Sequence, residues 1–148
     1  MDLNNKKVMF IGNSFIYYGY CVIEGDQGIP DEGYFYHLAK ENGDNVTVYD
    51  YVWGGRNLNQ LYEKYLPLDN KELFESIDYV FMSEAGENNR DLVGSAKRIM
   101  ALFPEKTKFA YLCHTYTYQC HHHRIMAGMS ELKKLGVKIV NWGGLAYD

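Results

Sequence analysis

The chain of 148 residues is 47% hydrophobic and 23% charged, with a formal net charge of -4, which suits a globular domain and argues against a disordered or collagen-like chain. No basic cluster exceeds three residues, so we do not expect nucleic-acid binding. No apolar run approaches the roughly 18 residues of a membrane-spanning helix, and the first residues do not resemble a signal peptide. We therefore expect one domain, residues 1–148, located in the cytoplasm and not at a membrane.

Five short apolar runs predict strands, at residues 7–11, 46–52, 78–83, 108–113 and 137–141. Four amphipathic stretches between them predict helices, at residues 33–41, 58–66, 91–103 and 123–135. Asp91 is the expected N-cap of the third helix, and Pro104 follows its end. This alternation predicts a three-layer α/β/α sandwich around a mostly parallel sheet, with a ligand site at the carboxyl ends of the strands. The longest irregular stretch, residues 15–32, suits a loop over that site.

Ser14 is the first candidate for chemistry. It follows the first predicted strand in the segment Gly12-Asn13-Ser14-Phe15, so its hydroxyl would stand at the edge of the sheet where ligands bind. Backbone N–H groups of the following turn could stabilise an oxyanion there. Gly-Asn-Ser is also an ordinary turn sequence, and the segment matches neither the GxSxG of α/β-hydrolases nor a phosphate-binding loop.

Two further strand ends strengthen the catalytic interpretation. The second predicted strand runs into Gly54-Gly55, and the third runs into Gly86-Glu87-Asn88-Asn89. In this order the three segments resemble the sequence blocks of the SGNH (GDSL-like) hydrolase superfamily, with GNSF as a variant of the GDSL block and Asn89 in place of the family's aspartate. The resemblance covers nearly the whole chain and implies a five-stranded, flavodoxin-like topology.

The resemblance implies a serine esterase or deacetylase without a cofactor, acting on an acylated small molecule or carbohydrate. Ser14 would attack the ester carbonyl, and an oxyanion hole would form from the N–H groups of Ser14 and Gly55 and the side-chain amide of Asn88. Gly55 is preferred to Gly54 only because it lies closer to the next predicted helix. The glycine pair and Asn88 are explained equally well as turn residues.

The family's final Asp-x-x-His block has no counterpart, because no histidine follows the last predicted strand before Asp148. A serine hydroxyl needs a base that accepts its proton, so the resemblance implies an incomplete triad. A truncated enzyme and a degenerate member that binds without turnover both fit this pattern. His114 follows the fourth predicted strand and could substitute, but a solvated or hydrogen-bonded histidine is its more ordinary explanation. His37 is expected on a helix surface.

The remaining polar clusters have simpler explanations. Cys21, Cys113 and Cys120 are odd in number and lack CxxC spacing, so we expect reduced thiols rather than disulfides. Cys113-His114 and residues 120–123 suggest zinc, but their spacing matches no familiar zinc pattern, so we predict a solvated loop or helix start and no metal. We expect Glu84, Glu87 and Asp91 to lie in a solvated acidic loop, although they could instead favour a substrate that bears hydroxyl groups or positive charge.

Two other function classes stay open. A non-catalytic carbohydrate or small-ligand binding module could use the same edge, with aromatic side chains lining a groove: Tyr17, Tyr18, Tyr20, Trp53 and Tyr116. A flavin or nucleotide binder has the support of fold analogy alone. Exposed apolar surface, left if a last segment is missing, would favour a homodimer.

Overall fold

Five parallel strands form the sheet in this computed structural model, which describes residues 2–13, 16, 33–84, 91–113 and 119–141, with the backbone alone for residues 33–34, 119–126 and 141. The strands are β1 (Lys7–Gly12), β2 (Thr47–Val52), β3 (Tyr79–Met82), β4 (Lys108–Cys113) and β5 (Lys138–Asn141). Their order is β2-β1-β3-β4-β5, and every neighbouring pair is parallel. This is the flavodoxin-like order. The predicted five-stranded parallel sheet is therefore confirmed.

The described helices are α1 (Gly33–Glu41), α2 (Leu58–Lys64), α3 (Lys71–Ser76), α4 (Leu92–Met100) and α5 (Gln119–Lys134). The four predicted helices are all present, although α5 begins four residues before its predicted start. Helix α3, which has six residues and is capped by Asn70, was not predicted, because so short an element shows little periodicity. None of the helices in the described ranges is long and apolar enough to span a bilayer.

The two faces of the sheet bury alternate residues of β1. Met9 and Ile11 belong to the larger apolar cluster, which also holds buried side chains of α2, α3, α4 and α5. Val8 and Phe10 belong to the smaller cluster with Ala39 of α1. Because strand side chains alternate between faces, a run buried on both sides indicates helices above and below. The predicted three-layer sandwich is confirmed.

Helix α4 begins as its sequence predicts. The Asp91 side chain accepts a hydrogen bond from the Gly94 N–H at 3.1 Å, which makes Asp91 the N-cap. Arg98, about two turns farther along the same helix, approaches the Asp91 carboxylate at 3.5 Å and donates to Asn59 Oδ1 of α2 at 2.5 Å. The start of α4 is thus tied to the neighbouring helix α2.

Candidate active edge

The carboxyl ends of β2, β1 and β3 lie next to one another, with β1 in the middle. Gly12 pairs with Val52, and Ile11 pairs with Met82. The hydrogen bonding continues past both pairs, from Trp53 N to Gly12 O at 2.9 Å and from Ser83 N to Ile11 O at 3.0 Å. The strands that lead to Ser14, to the glycine pair and to the Gly86-Asn89 segment therefore end at one shared edge of the sheet, as predicted.

Ser14 and Asn88 themselves lie outside the described residues, as do Glu87, Asn89 and His114. Asn13 and Ile16 are the described residues nearest to Ser14 in the sequence. Asn13 is 1% exposed, and its carbonyl oxygen accepts a hydrogen bond from Ile16 N at 3.1 Å. Asn13 and Ile16 are thus both buried at the end of the sheet.

Gly12 is required by close packing rather than by an unusual backbone angle. A Cβ atom built on Gly12 would lie 2.7 Å from the Ser83 carbonyl oxygen and 2.5 Å from Ile16 Cδ1, closer than carbon atoms pack in proteins. Glycine lets the end of β1 approach the end of β3. Gly12 was expected in a turn after β1, and the structure adds that a Cβ at this position would meet the backbone at the end of β3.

The glycine pair forms a tight turn directly after β2. Arg56 N donates to Trp53 O at 3.3 Å, and Gly55 has a φ of 68°. A positive φ at the third position is what a type II turn requires, and glycine is the residue that adopts it without strain. No described residue accepts a hydrogen bond from the Gly55 N–H. The turn therefore accounts for this glycine, and its amide is not committed to any group within the described ranges.

Helix α2 begins immediately after this turn and is capped twice. Asn57 and Gln60 form a reciprocal capping box, with bonds of 2.9 and 3.0 Å. A carboxylate oxygen of Glu84 accepts the Leu58 N–H at 2.7 Å. Glu84 follows Ser83 at the end of β3, so its side chain joins the third strand end to the second.

The expectation of a solvated acidic loop is wrong for Glu84, which is 1% exposed. A buried carboxylate needs hydrogen-bond donors that replace its water, and the start of α2 supplies one. Asp91 is exposed, as predicted, and serves as a cap. The available signal was position: Glu84 directly follows a buried strand, whereas Asp91 directly precedes a helix.

Trp53 is the one predicted groove aromatic within the described ranges. Its indole stacks on the Tyr65 ring, with centroids 4.7 Å apart and planes 20° apart. Arg56 donates from Nε to the Tyr65 hydroxyl at 3.3 Å. One face of the indole is therefore covered by Tyr65, so only its other face and its edge could meet a ligand. Tyr17, Tyr18, Tyr20 and Tyr116 lie outside the described residues.

Tyr51, near the carboxyl end of β2, and Asp78, just before β3, have shifted pKa values. Burial raises the pKa of Tyr51 in β2, and the neighbouring Tyr49 adds to the effect, so this phenol stays neutral at neutral pH. At the opposite edge, burial pushes the pKa of Asp78 upward, but hydrogen bonds from the Lys7 N–H and from Lys106 outweigh it and lower the pKa overall. His37 is exposed on α1, as predicted.

The described residues contain no group of three or more histidine, cysteine and acidic side chains that could hold a metal ion. Cys113 is 3% exposed at the end of β4. Residues 120–123 fall in the first turns of α5, which agrees with the predicted helix start.

A groove of about 750 Å³ opens between Phe81, Phe109 and Lys138, at the amino ends of the strands. It lies at the edge opposite to the predicted site.

Comparisons with known proteins support the fold. Searches of protein-family models and of curated proteins gave no match. The chain is similar in structure to a lipase, Lip_vut3, from a goat rumen metagenome, with a TM-score of 0.57 and 11% identity over 92% of this chain and 80% of the lipase. It is also similar to a family two carbohydrate esterase from Clostridium thermocellum, solved with cellohexaose, with a TM-score of 0.59 and 12% identity over 95% of this chain. The match spans 55% of that esterase chain. At such low identity the likeness establishes the α/β fold.

Proposed function

We propose that the chain is a serine hydrolase of the SGNH type, an esterase or deacetylase that acts on an acylated small molecule or carbohydrate through an acyl-enzyme on Ser14. The observation that carries the proposal is the placement of β1 between β2 and β3. The strand that leads to the serine is flanked on one side by the glycine turn and on the other by the strand that leads to Asn88. The fold likeness to a lipase and to a carbohydrate esterase agrees with this chemistry.

In the proposed reaction the Ser14 hydroxyl attacks the ester carbonyl carbon, and its proton passes to a base. The negative charge on the carbonyl oxygen is stabilised by the N–H groups of Ser14 and Gly55 and by the Asn88 side-chain amide. Each such donor contributes about 3 kcal/mol to transition-state stabilisation. Asn88 is five residues beyond Ser83, and an extended chain spans roughly 3.3 Å per residue, so the Asn88 amide is within reach of the end of β1.

Two groups are candidates for the proton acceptor. His114 follows β4 directly in sequence, which would put it near the same edge of the sheet. The alternative is an Asp-x-x-His segment farther along the reading frame. Once the base has taken the serine proton, it donates that proton to the leaving alcohol, and a water molecule then hydrolyses the acyl-enzyme by the reverse roles.

A fluorophosphonate probe and a short-chain aryl ester test the proposal. We expect the protein to be labelled at Ser14, as located by peptide mass spectrometry, and we expect Ser14→Ala to abolish both labelling and hydrolysis. The measurement is made on this chain and on any longer product of the same reading frame. His114→Ala then identifies the base: loss of activity assigns it to His114. Labelling elsewhere, or absence of both labelling and hydrolysis in every form, would refute the proposal.

A carbohydrate-binding module is the second candidate, and the stacked pair of Trp53 and Tyr65 favours it. Both rings are partly buried beside the glycine turn, and an aromatic face is a common surface for stacking on a sugar ring. Binding of cello-oligosaccharides that survives Ser14→Ala and is lost in Trp53→Ala, with no ester hydrolysis, would select this function. The cytoplasmic location and the homodimer stay predictions.

A further inference from the structure

Glu84 occupies a fixed position at the end of β3. The preceding residue, Ser83, is held from both sides, because its N–H donates to Ile11 O of β1 at 3.0 Å and its hydroxyl donates to Leu112 O of β4 at 2.9 Å. Ser83 is fully buried, and Glu84 is 1% exposed. The backbone from which the Glu84 side chain extends is therefore anchored to the two neighbouring strands.

The Glu84 carboxylate reaches from this anchor to the other side of β1. Its Oε2 atom accepts the Leu58 N–H at 2.7 Å, and Leu58 is the first residue of α2, directly after the glycine turn. The first N–H groups of a helix have no partner within the helix, and a carboxylate there gains from charge and from the helix dipole. Because β1 lies between β2 and β3, this bond links the two segments on either side of the strand that leads to Ser14.

We propose that Glu84 is a positioning residue for the oxyanion hole. The bond to Leu58 holds the glycine turn at a set distance from the end of β3, the strand from which the chain continues toward Asn88. The inference rests on the proposed function, since it is the Gly55 amide and the Asn88 side chain that Glu84 would keep in place around the reacting oxygen. The positioning role goes beyond the proposed function, because Glu84 belongs to none of the three segments that resemble the SGNH sequence blocks.

Substitution by methionine and by glutamine tests the role of the carboxylate. Glu84→Met keeps the length of the side chain but removes the acceptor, whereas Glu84→Gln keeps one acceptor oxygen. A displacement of about 1 Å in an active site costs on the order of 100-fold in rate. We therefore expect Glu84→Met to lower the kcat for the aryl ester by about 10- to 100-fold, with little change in KM, and Glu84→Gln to recover most of the loss.

Asp78 supplies a matched control at the other end of the same strand. Its carboxylate accepts the Lys7 N–H at 2.9 Å, so Asp78→Asn alters a comparable bond far from the candidate edge. Thermal unfolding of all variants measures the stability that each change removes. Hydrogen exchange of the Leu58 amide reports the bond itself, and we expect faster exchange in Glu84→Met but not in Asp78→Asn.

The outcomes separate this inference from the proposed function. A wild-type protein that neither hydrolyses the ester nor labels at Ser14 refutes the proposed function and this inference with it. If the wild type is active and Glu84→Met retains its kcat while Leu58 exchange accelerates, the positioning role alone is refuted. Should Glu84→Met not fold, Glu84→Asp replaces it: the charge is kept but the side chain is one methylene too short, so kcat must fall, and an unchanged kcat overturns the inference.

Discussion

Replacing Gly12 by alanine tests the packing on which the candidate edge depends. The added Cβ would lie 2.7 Å from the Ser83 carbonyl oxygen and 2.5 Å from Ile16 Cδ1. Relief of these contacts needs a shift of roughly 0.5–1 Å. The Ile16 methyl can rotate away, but the Ser83 carbonyl is backbone, and Ser83 is bonded to both β1 and β4.

Overpacking of this kind costs about 1–3 kcal/mol, and we expect the upper half of that range because the obstructing atom is backbone. For a chain of this length, about 2 kcal/mol corresponds to a fall in Tm of roughly 4–8 °C. Urea unfolding followed by circular dichroism measures the free energy. Gly43→Ala is the control, since its Cβ meets no atom within 4 Å and its φ is 89°, so backbone strain of about 1–2 kcal/mol is its whole cost.

A second substitution identifies which contact dominates. Ile16→Val removes the Cδ1 atom alone and by itself costs about 1 kcal/mol. Because the Ser83 oxygen stays in place, the double variant with Gly12→Ala should remain close to the sum of the two single losses. Full rescue by Ile16→Val, or a Gly12→Ala variant within about 0.5 kcal/mol of the wild type, would refute the reasoning.

Two further predictions concern Asp78 and the cap of α4. The pKa of Asp78 is lowered in the folded protein despite its burial, so the folded state binds that proton less tightly than the unfolded state. The stability that this carboxylate contributes is therefore fully present above its ordinary pKa of 3.8. It is lost as the pH falls through the lowered pKa of the folded state. The gap in unfolding free energy between the wild type and Asp78→Asn should therefore be constant from about pH 5 to 7 and shrink below about pH 4; a gap that widens in acid contradicts this. In Gly94→Ala the added Cβ would press against the Asp91 carboxylate and remove a cap worth about 1 kcal/mol. The higher helix propensity of alanine stabilises α4 by about 1 kcal/mol, so we expect little net change in the free energy of unfolding. In the Asp91→Ala background Gly94→Ala should instead stabilise by about 1 kcal/mol, and equal effects in the two backgrounds in urea unfolding would disprove the clash.

The strands were predictable because each is a short apolar run with a glycine or a polar residue within two positions of its end. Both faces of β1 are buried, so its residues read as a continuous apolar segment. The Asp91 cap was predictable for a similar reason, since a capping residue acts on the N–H groups only three residues away. Helix α3 was not predicted, because among its six residues only Phe74 is buried and no apolar stripe is visible in the sequence.

Glu84 shows where prediction from sequence ended. Its position after a buried strand separates Glu84 from Asp91, which precedes a helix, but that position does not reveal which group the Glu84 carboxylate bonds. Burial of Glu84 depends on α2 beginning near the end of β3, and these two elements are brought together by the order of strands in the sheet. The same is true of Gly12, whose requirement for glycine arises from a carbonyl oxygen 71 residues away in the chain.

The sequence by itself determined the alternation of strands and helices, the parallel sheet, and the three segments that could meet at its carboxyl edge, because hydrophobic period and turn chemistry act over a few residues. Only the tertiary structure decided that a Cβ at Gly12 would meet the Ser83 carbonyl oxygen and that the Glu84 carboxylate holds the start of α2. These features depend on distances between residues far apart in the chain, and the packing of the whole sheet sets those distances.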